Sequence, residues 1–257
     1  MTSPDSPPDA IDIRGACKTY PNGIRALEPI DLTVRQGEFV TIVGPSGCGK
    51  STLLRLIAGL SPSTAGSIVL AEGFSPPRLA YVFQSPTLMP WASVQANVRL
   101  PLDLARVPRA DADDKTRHAL ELVGLQEFAR SFPRELSGGM QMRVSIARAL
   151  ATEPRLLLMD EPFGALDEIT RNRLDREFSE LSARENLTVL FVTHSIYEAV
   201  FLSSRVLVMS PRPGRVHAEV NIDAPRPRAD DFRGTVKFAT HSAQLSEMLG
   251  TVMQEAE

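Results

Sequence analysis

The stretch from Gly44 to Thr52, GPSGCGKST, constrains the fold more than any other part of the chain. It fits the pattern G-x-x-x-x-G-K-[ST], which cradles phosphate when it joins a buried strand to a helix. Both neighbours are present. Glu38 to Val43 is a short apolar run of strand character, and from Lys50 to Leu60 the residues Leu53, Leu54, Leu56, Ile57 and Leu60 recur at helical spacing. Gly44, Gly47 and Gly49 let the backbone turn tightly, so that the N–H groups of a loop completed by Pro45, Ser46 and Cys48 face inward onto phosphate oxygens. The helix that opens near Lys50 and runs on through Thr52 adds the positive end of its dipole. Lys50 is placed to reach the β- and γ-phosphates of a nucleoside triphosphate, and Ser51 to ligate Mg²⁺. A Gly-rich turn without a ligand is the bland alternative, and the strand–loop–helix context weighs against it.

Around this unit the chain alternates strands and helices. Ile11 to Tyr20 and Ala26 to Val34 form a candidate antiparallel pair, turned by Pro21, Asn22 and Gly23. Short strands are expected at 67–70, 79–83, 156–159, 188–192, 206–209 and 214–222, with helices at 167–184 and 196–203. Between about 85 and 153 the pattern turns helical throughout, with Val94, Val98 and Leu102, then Ala119, Leu122 and Val123, then Met142, Ile146 and Leu150. The expected fold is α/β. It is a P-loop NTPase core with a mostly parallel sheet, an N-terminal antiparallel β part and a helical subdomain inserted at about 85–153. Residues 1–10 are expected to be a disordered tail, 11–229 the main domain, and 230–257 a C-terminal helical extension too short for a separate regulatory domain.

Composition removes several classes. A net charge of −3 offers no broad basic surface, so nucleic acid is not an expected partner. Cys17 and Cys48 lie far apart, the second inside the phosphate loop, which argues for free thiols in a reducing cytoplasm. No apolar stretch approaches the ~20 residues that span a bilayer. The opening MTSPDSPPDA lacks the basic and apolar regions of a signal peptide. Any association with a membrane is therefore expected to run through a partner.

Downstream, Leu156 to Pro162 reads LLLMDEP, an apolar strand ending in two carboxylates. Asp160 would hold Mg²⁺, directly or through water, and Glu161 would polarise the attacking water as general base. A lone Asp-Glu pair is usually a solvated strand end; the apolar run before it and the phosphate loop upstream reverse that reading.

Between these two motifs lies LSGGMQMRVSIARAL, Leu136 to Leu150, which resembles the signature of ABC ATPases and the helix it opens. Physically, Ser137 is a good N-cap, and Gly138 and Gly139 bare the amides of a helix start, giving an anion site without a lysine. The resemblance implies that this site docks on the γ-phosphate held by the other subunit of a homodimer. It covers roughly residues 11–215 and assigns further positions one at a time. Gln84, in YVFQ, is similar to the glutamine that senses Mg²⁺ and the attacking water. Tyr20, in KTY, is similar to the aromatic that stacks on adenine, with a strand-end core tyrosine as the other reading. Asp167, in GALD, matches an aspartate that communicates across the dimer near the bound nucleotide. His194, in FVTHS, matches the switch histidine that touches the γ-phosphate. Two positions depart from the family pattern: Met140, where Gln is common, and Ser195, where Asp is common. His118, His217 and His241 match nothing and are expected at the surface.

Longer segments narrow the resemblance to the nitrate, sulfonate and taurine importers: ALEPIDLTVRQGEFVTIVGPSGCGKSTLLRLIAGL, Pro90-Trp91, LLLMDEPFGALDEITR and MSPRPGRV. Importers of thiamine precursors share much of this pattern. The resemblance implies an ATP-hydrolysing subunit, with ATP and Mg²⁺, peripheral on the cytoplasmic face of the cell membrane. Its partners would be transmembrane permease subunits and, indirectly, a solute-binding protein. An exporter or lipid-transfer ATPase stays open, as does, further off, a soluble ABC ATPase outside transport. The apolar cluster Pro86, Leu88, Met89, Pro90 and Trp91 has two readings, a groove for a permease coupling helix or a small local core.

Overall fold

A computed structural model describes residues 7–254 apart from 77 and 165. β1 (Asp9–Thr19) and β2 (Arg25–Arg35) form an antiparallel pair, β3 (Phe39–Val43) feeds α1 (Lys50–Ile57), and β4 (Ala65–Leu70) returns to the other edge of β1. After β5 (Leu79–Val82) come three helices, α2 (Val94–Leu104), α3 (Arg109–Leu122) and α4 (Gly138–Leu150). The chain then alternates through β6 (Leu156–Asp160), α5 (Glu168–Arg184), β7 (Thr188–Val192), α6 (Ile196–Leu202) and β8 (Arg205–Met209). It closes with β9 (Val216–Asn221), a 3-10 turn at Asp230–Gly234 and α7 (Val236–Gln254).

The strands form two sheets, β2-β1-β4 and β5-β6-β7-β3-β8-β9. In the second, β5 through β8 run parallel and β9 is antiparallel to β8. Every residue of β3, β6 and β7 is buried, as expected for strands covered on both faces. Alternation along β3 divides the core. Phe39 and Val43 face a cluster with Phe163, Phe178 and Phe191, while Val40 and Ile42 face Leu53, Leu54 and Ile57 of α1 and Ile11, Ile13 and Leu32 of the antiparallel sheet. α1 is thus held between the two sheets.

The order β5-β6-β7-β3 decides where chemistry can occur. Parallel neighbours carry their carboxyl ends to one sheet edge, where ligands of open α/β sheets bind. The phosphate loop after β3, Gln84 after β5, Asp160 and Glu161 at the end of β6, and His194 after β7 all emerge there.

Two details differ from the sequence expectation. Most of the expected disordered tail, residues 1–6, lies outside the described residues, but Asp9 and Ala10 belong to β1. Asp9 sits opposite Arg35, Ala10 is fully buried, and the carbonyl of Pro8 accepts from Gln36 N–H at 2.9 Å. Burying one alanine and pairing the backbone order these residues despite the Pro-rich composition before them. His241, expected at the surface, is half-buried, with its Nδ1 enclosed and without a protein partner. Both cysteines are free.

Candidate functional site

A cleft of about 390 Å³ opens over the phosphate loop, lined by Tyr20, Ser46, Gly47, Gly49, Lys50, Ser51, Thr52, Gln84 and Glu161, with Ile24, Ala26 and Arg212. Its floor is shaped by close packing. Gly49 has φ +105°, and a Cβ there would lie 2.5 Å from Leu27 Cδ2 and 3.0 Å from the carbonyl of Ala26, so only glycine fits. The Lys50 ammonium is almost buried and donates to the carbonyls of Gly44 (2.8 Å) and Pro45 (2.9 Å), which hold it beneath the loop. Cys48 lies wholly inside, and burial pushes its thiol above the ordinary range, so at neutral pH it packs as an uncharged group. Gly44, Pro45 and Cys48 shape the loop from below and do not line the cleft.

Behind Ser51, outside the cleft lining, Asp160 is buried: Ser51 Oγ donates to its Oδ1 at 2.8 Å, and Tyr81 Oη donates to its Oδ2 at 3.2 Å. Burial, and then the charge of Asp160, raise the Tyr81 phenol well above its usual range, so it stays a donor at physiological pH. Glu161 has φ +47°, a left-handed conformation that is uncommon outside glycine and carries strain. That turn aims its carboxylate at Gln84, whose Nε2 donates to Oε2 at 3.1 Å, and at His194, whose Nδ1 lies 3.6 Å from the same oxygen. Three side chains from three strand ends thereby meet at one carboxylate oxygen. Tyr20 Oη and Thr52 Oγ1 are 3.2 Å apart, which ties the Tyr20 ring to the rim of the cleft.

Ser137, Gly138, Gly139 and Asp167 do not line this cleft. Ser137 caps α4, its Oγ accepting from Met140 N–H at 3.3 Å, and a side chain at Gly138 would meet nothing within 4 Å. Gly139 is tighter: a Cβ there would lie 3.2 Å from Thr170 Cγ2 of α5. Met140, where glutamine is common in the pattern, packs half-buried against the core. Asp167 caps α5, accepting from Thr170 N–H at 3.0 Å, a bond that lowers its carboxyl pKa. Ser195 caps α6 in turn, its Oγ accepting from Glu198 N–H at 3.3 Å, so serine supplies the cap an aspartate would have made.

Sequence reasoning missed Arg212, Ile24, Ala26 and Tyr81. Arg212 reaches into the cleft and donates Nε–H to the carbonyl of Gly47 at 3.3 Å; its segment, MSPRPGRV, had served only as a branch marker. Ile24 contributes an apolar wall beside Tyr20, and Tyr81, inside the quoted YVFQ, bears on Asp160. The Arg212 and Tyr81 contacts depend on segments remote in sequence, so no local pattern marks them.

A strand–loop–helix phosphate cradle, with two carboxylates at a strand end one strand further along the same sheet, defines a P-loop nucleoside triphosphatase. The comparisons narrow that class. Residues 27–164 match the family described as ABC transporter. A taurine import ATP-binding protein from Rhizobium johnstonii is 45% identical over 93% of this chain and 92% of its own. An aliphatic sulfonates import ATP-binding protein from Rhodopseudomonas palustris is 44% identical over 99% and 88%. Among solved structures, a dimeric ATP-binding cassette in a post-hydrolysis state with ADP and Pi superposes with a TM-score of 0.72 at 32% identity, covering 84% of this chain and 100% of that one. A cassette of the cbiONQ transporter complex from Clostridium perfringens superposes at 0.77 and 25% identity, over 96% and 99%. The chain belongs to the ABC transporter family. It is an ATP-binding, ATP-hydrolysing subunit of that family.

Proposed function

We propose that this subunit powers import of a small solute of the sulfonate or taurine class, with nitrate and thiamine-precursor types as neighbouring candidates. The names of its relatives support import over export or lipid transfer. The observation that carries the mechanism is the convergence of Gln84 and His194 on Glu161 Oε2 at the mouth of the phosphate loop.

In this reading ATP lies in the cleft with its adenine against Tyr20 and its phosphates on the loop amides and Lys50. Glu161 takes a proton from the attacking water, Gln84 orients that water, and His194 holds the γ-phosphate. Ser51 and Asp160 fit a Mg²⁺ ion. Their hydroxyl and carboxylate oxygens touch at 2.8 Å beside the loop, a hard oxygen donor set that phosphate oxygens and water would complete. Among the described residues no cluster of three or more His, Cys, Asp or Glu gathers for a metal, and a site of this type needs none. The ion would neutralise charge on the β- and γ-oxygens.

Ser137–Gly139 stand outside the cleft of their own chain. We assign them to the γ-phosphate in a second copy, so that two chains close head to tail over two ATP, with Asp167 at the seam. Among the described residues no helix is long and apolar enough to cross a membrane. Permease subunits would hold the pair at the cytoplasmic face and receive substrate from a solute-binding protein. The Trp91 ring, 77% exposed, is a candidate contact for the permease. Its loop is held firm: Arg148 donates to the carbonyls of Pro86 and Thr87, and Asn97 bonds both the N–H and the carbonyl of Met89.

Glu161→Gln tests the general base. The variant should bind ATP normally and hydrolyse it at least about a hundredfold more slowly. Hydrolysis at the wild-type rate would remove Glu161 from that role.

A further inference from the structure

Phe163 and Leu166 follow Glu161 after β6, and Thr193 and Ser195 flank His194 after β7. Behind them, four charged side chains meet between α5, α6 and the C-terminal segment. Arg171 of α5 donates to the carbonyls of Leu166 (2.6 Å) and Phe163 (3.4 Å), and its Nε lies 3.7 Å from Glu198 Oε1. Glu198 of α6, 3% exposed, accepts from Thr193 Oγ1, which in turn accepts from Ser195 N–H at 3.0 Å. One carboxylate thus fixes the residues on both sides of His194. Asp175 of α5, fully buried, completes the group, its Oδ2 accepting from Arg233 Nη2 at 2.8 Å. Arg233 comes from the 3-10 turn before α7 and lies over the Phe201 ring at 4.0 Å.

Two carboxylates this buried repel each other when both are ionised, and Arg171, Arg233 and the Thr193 hydroxyl offset that. Asp175 Oδ1 and Glu198 Oε1 are both enclosed without a hydrogen-bond partner, so the balance is electrostatic rather than a closed set of bonds. Without Arg233, an ionised Asp175 would be left with Arg171, one helical turn away on α5, as its cation, and would draw it off the carbonyls of Phe163 and Leu166 and away from Glu198.

We propose that Arg233 is a positioning residue for ATP hydrolysis: through Asp175 it keeps Arg171 on the carbonyls of Phe163 and Leu166 and Glu198 on the residues flanking His194. The C-terminal segment thereby sets the geometry of a site it does not touch. This rests on the roles given above to Glu161 and His194.

The test uses the full chain and reads kcat and KM for ATP separately. Arg233→Met should lower kcat about tenfold and leave KM unchanged, because the phosphate loop lies on another wall. The double variant Arg233→Met with Asp175→Asn removes both charges and should recover kcat to within about threefold of wild type. Wild-type kcat in the single variant, or losses that multiply in the double, would overturn the proposal. If Arg233→Met does not fold, Arg233→Lys takes its place. The retained charge should keep kcat within about threefold of wild type, and so should Asp175→Asn alone, which leaves no carboxylate to draw Arg171 away; a loss of about tenfold in either overturns the proposal. Glu161→Gln and His194→Ala run beside these. Should both hydrolyse normally, the reading of the site fails; should both be inactive while Arg233→Met is normal, only the role of Arg233 fails.

Discussion

Gly214 shows how a single residue can be dictated from far along the chain. It follows β8, yet a Cβ there would lie 1.9 Å from the carbonyl oxygen of Cys48 in the phosphate loop. Its N–H also donates to Ala26 at 3.0 Å, and its carbonyl accepts from Glu28 N–H at 2.9 Å. Backbone cannot yield as a flexible side chain does. Gly214→Ala should therefore cost about 1–3 kcal/mol and shift the loop, lowering the melting temperature and raising KM for ATP together. A variant with both unchanged would show that the loop has room to move. Lys50, Ser51 and Asp160 could be found from motif alone because their work is done within a few residues of a strand end. Arg212 and Tyr81 could not, since their partners Gly47 and Asp160 belong to other segments.

At the scale of elements, helix ends do much of the placing. Ser137, Asp167 and Ser195 each cap the helix after a functional loop, with side-chain oxygens accepting at 3.3, 3.0 and 3.3 Å. The cap at Ser137 was legible in sequence, as was nearly every strand and helix, whereas those at Asp167 and Ser195 emerged only from the structure. What α5 and α6 enclose was not: helical periodicity marks Asp175 and Glu198 merely as polar. Burial, and then the charge of Glu198, push the Asp175 carboxyl up to about 7. Its unfolded value is the ordinary one near 3.8, so the folded chain binds this proton more tightly. That contribution to stability is complete below the unfolded value and is lost as pH rises through about 7. Asp175→Asn lacks the titration. Its melting temperature relative to wild type should move in the variant's favour between pH 5 and 7.5, and a difference independent of pH would contradict the raised pKa.

For the whole molecule, the question is what completes the cleft. Ser137→Asp probes the proposed partner copy, since aspartate caps a helix as well as serine does and the fold should survive. Its charge would face the γ-phosphate across the dimer. The variant should still bind ATP as a monomer, while ATP-driven dimerisation of the Glu161→Gln background, followed by size-exclusion chromatography, should vanish; a persistent dimer would put Ser137 away from the phosphate. Trp91→Ala addresses the other surface. ATPase activity of the isolated subunit should stay intact, while co-purification with the permease and transport both weaken. Unchanged transport would leave Trp91 an exposed ring with no part in holding the permease.

The sequence by itself determined the phosphate loop, the strand-end carboxylates, the signature helix start and the alternation that makes the core a parallel sheet. Each of these is local chemistry, written in a few adjacent residues or one period of burial. Tertiary structure alone decided that Gln84, Glu161 and His194 share one carboxylate oxygen, because strand order is settled by packing between segments far apart in the chain. It also decided that the signature lies outside its own cleft, that Arg212 enters it, and that Arg233 is tied to Asp175 behind the switch loop. Those relations arise from which faces are buried against each other, and no run of neighbouring residues encodes them.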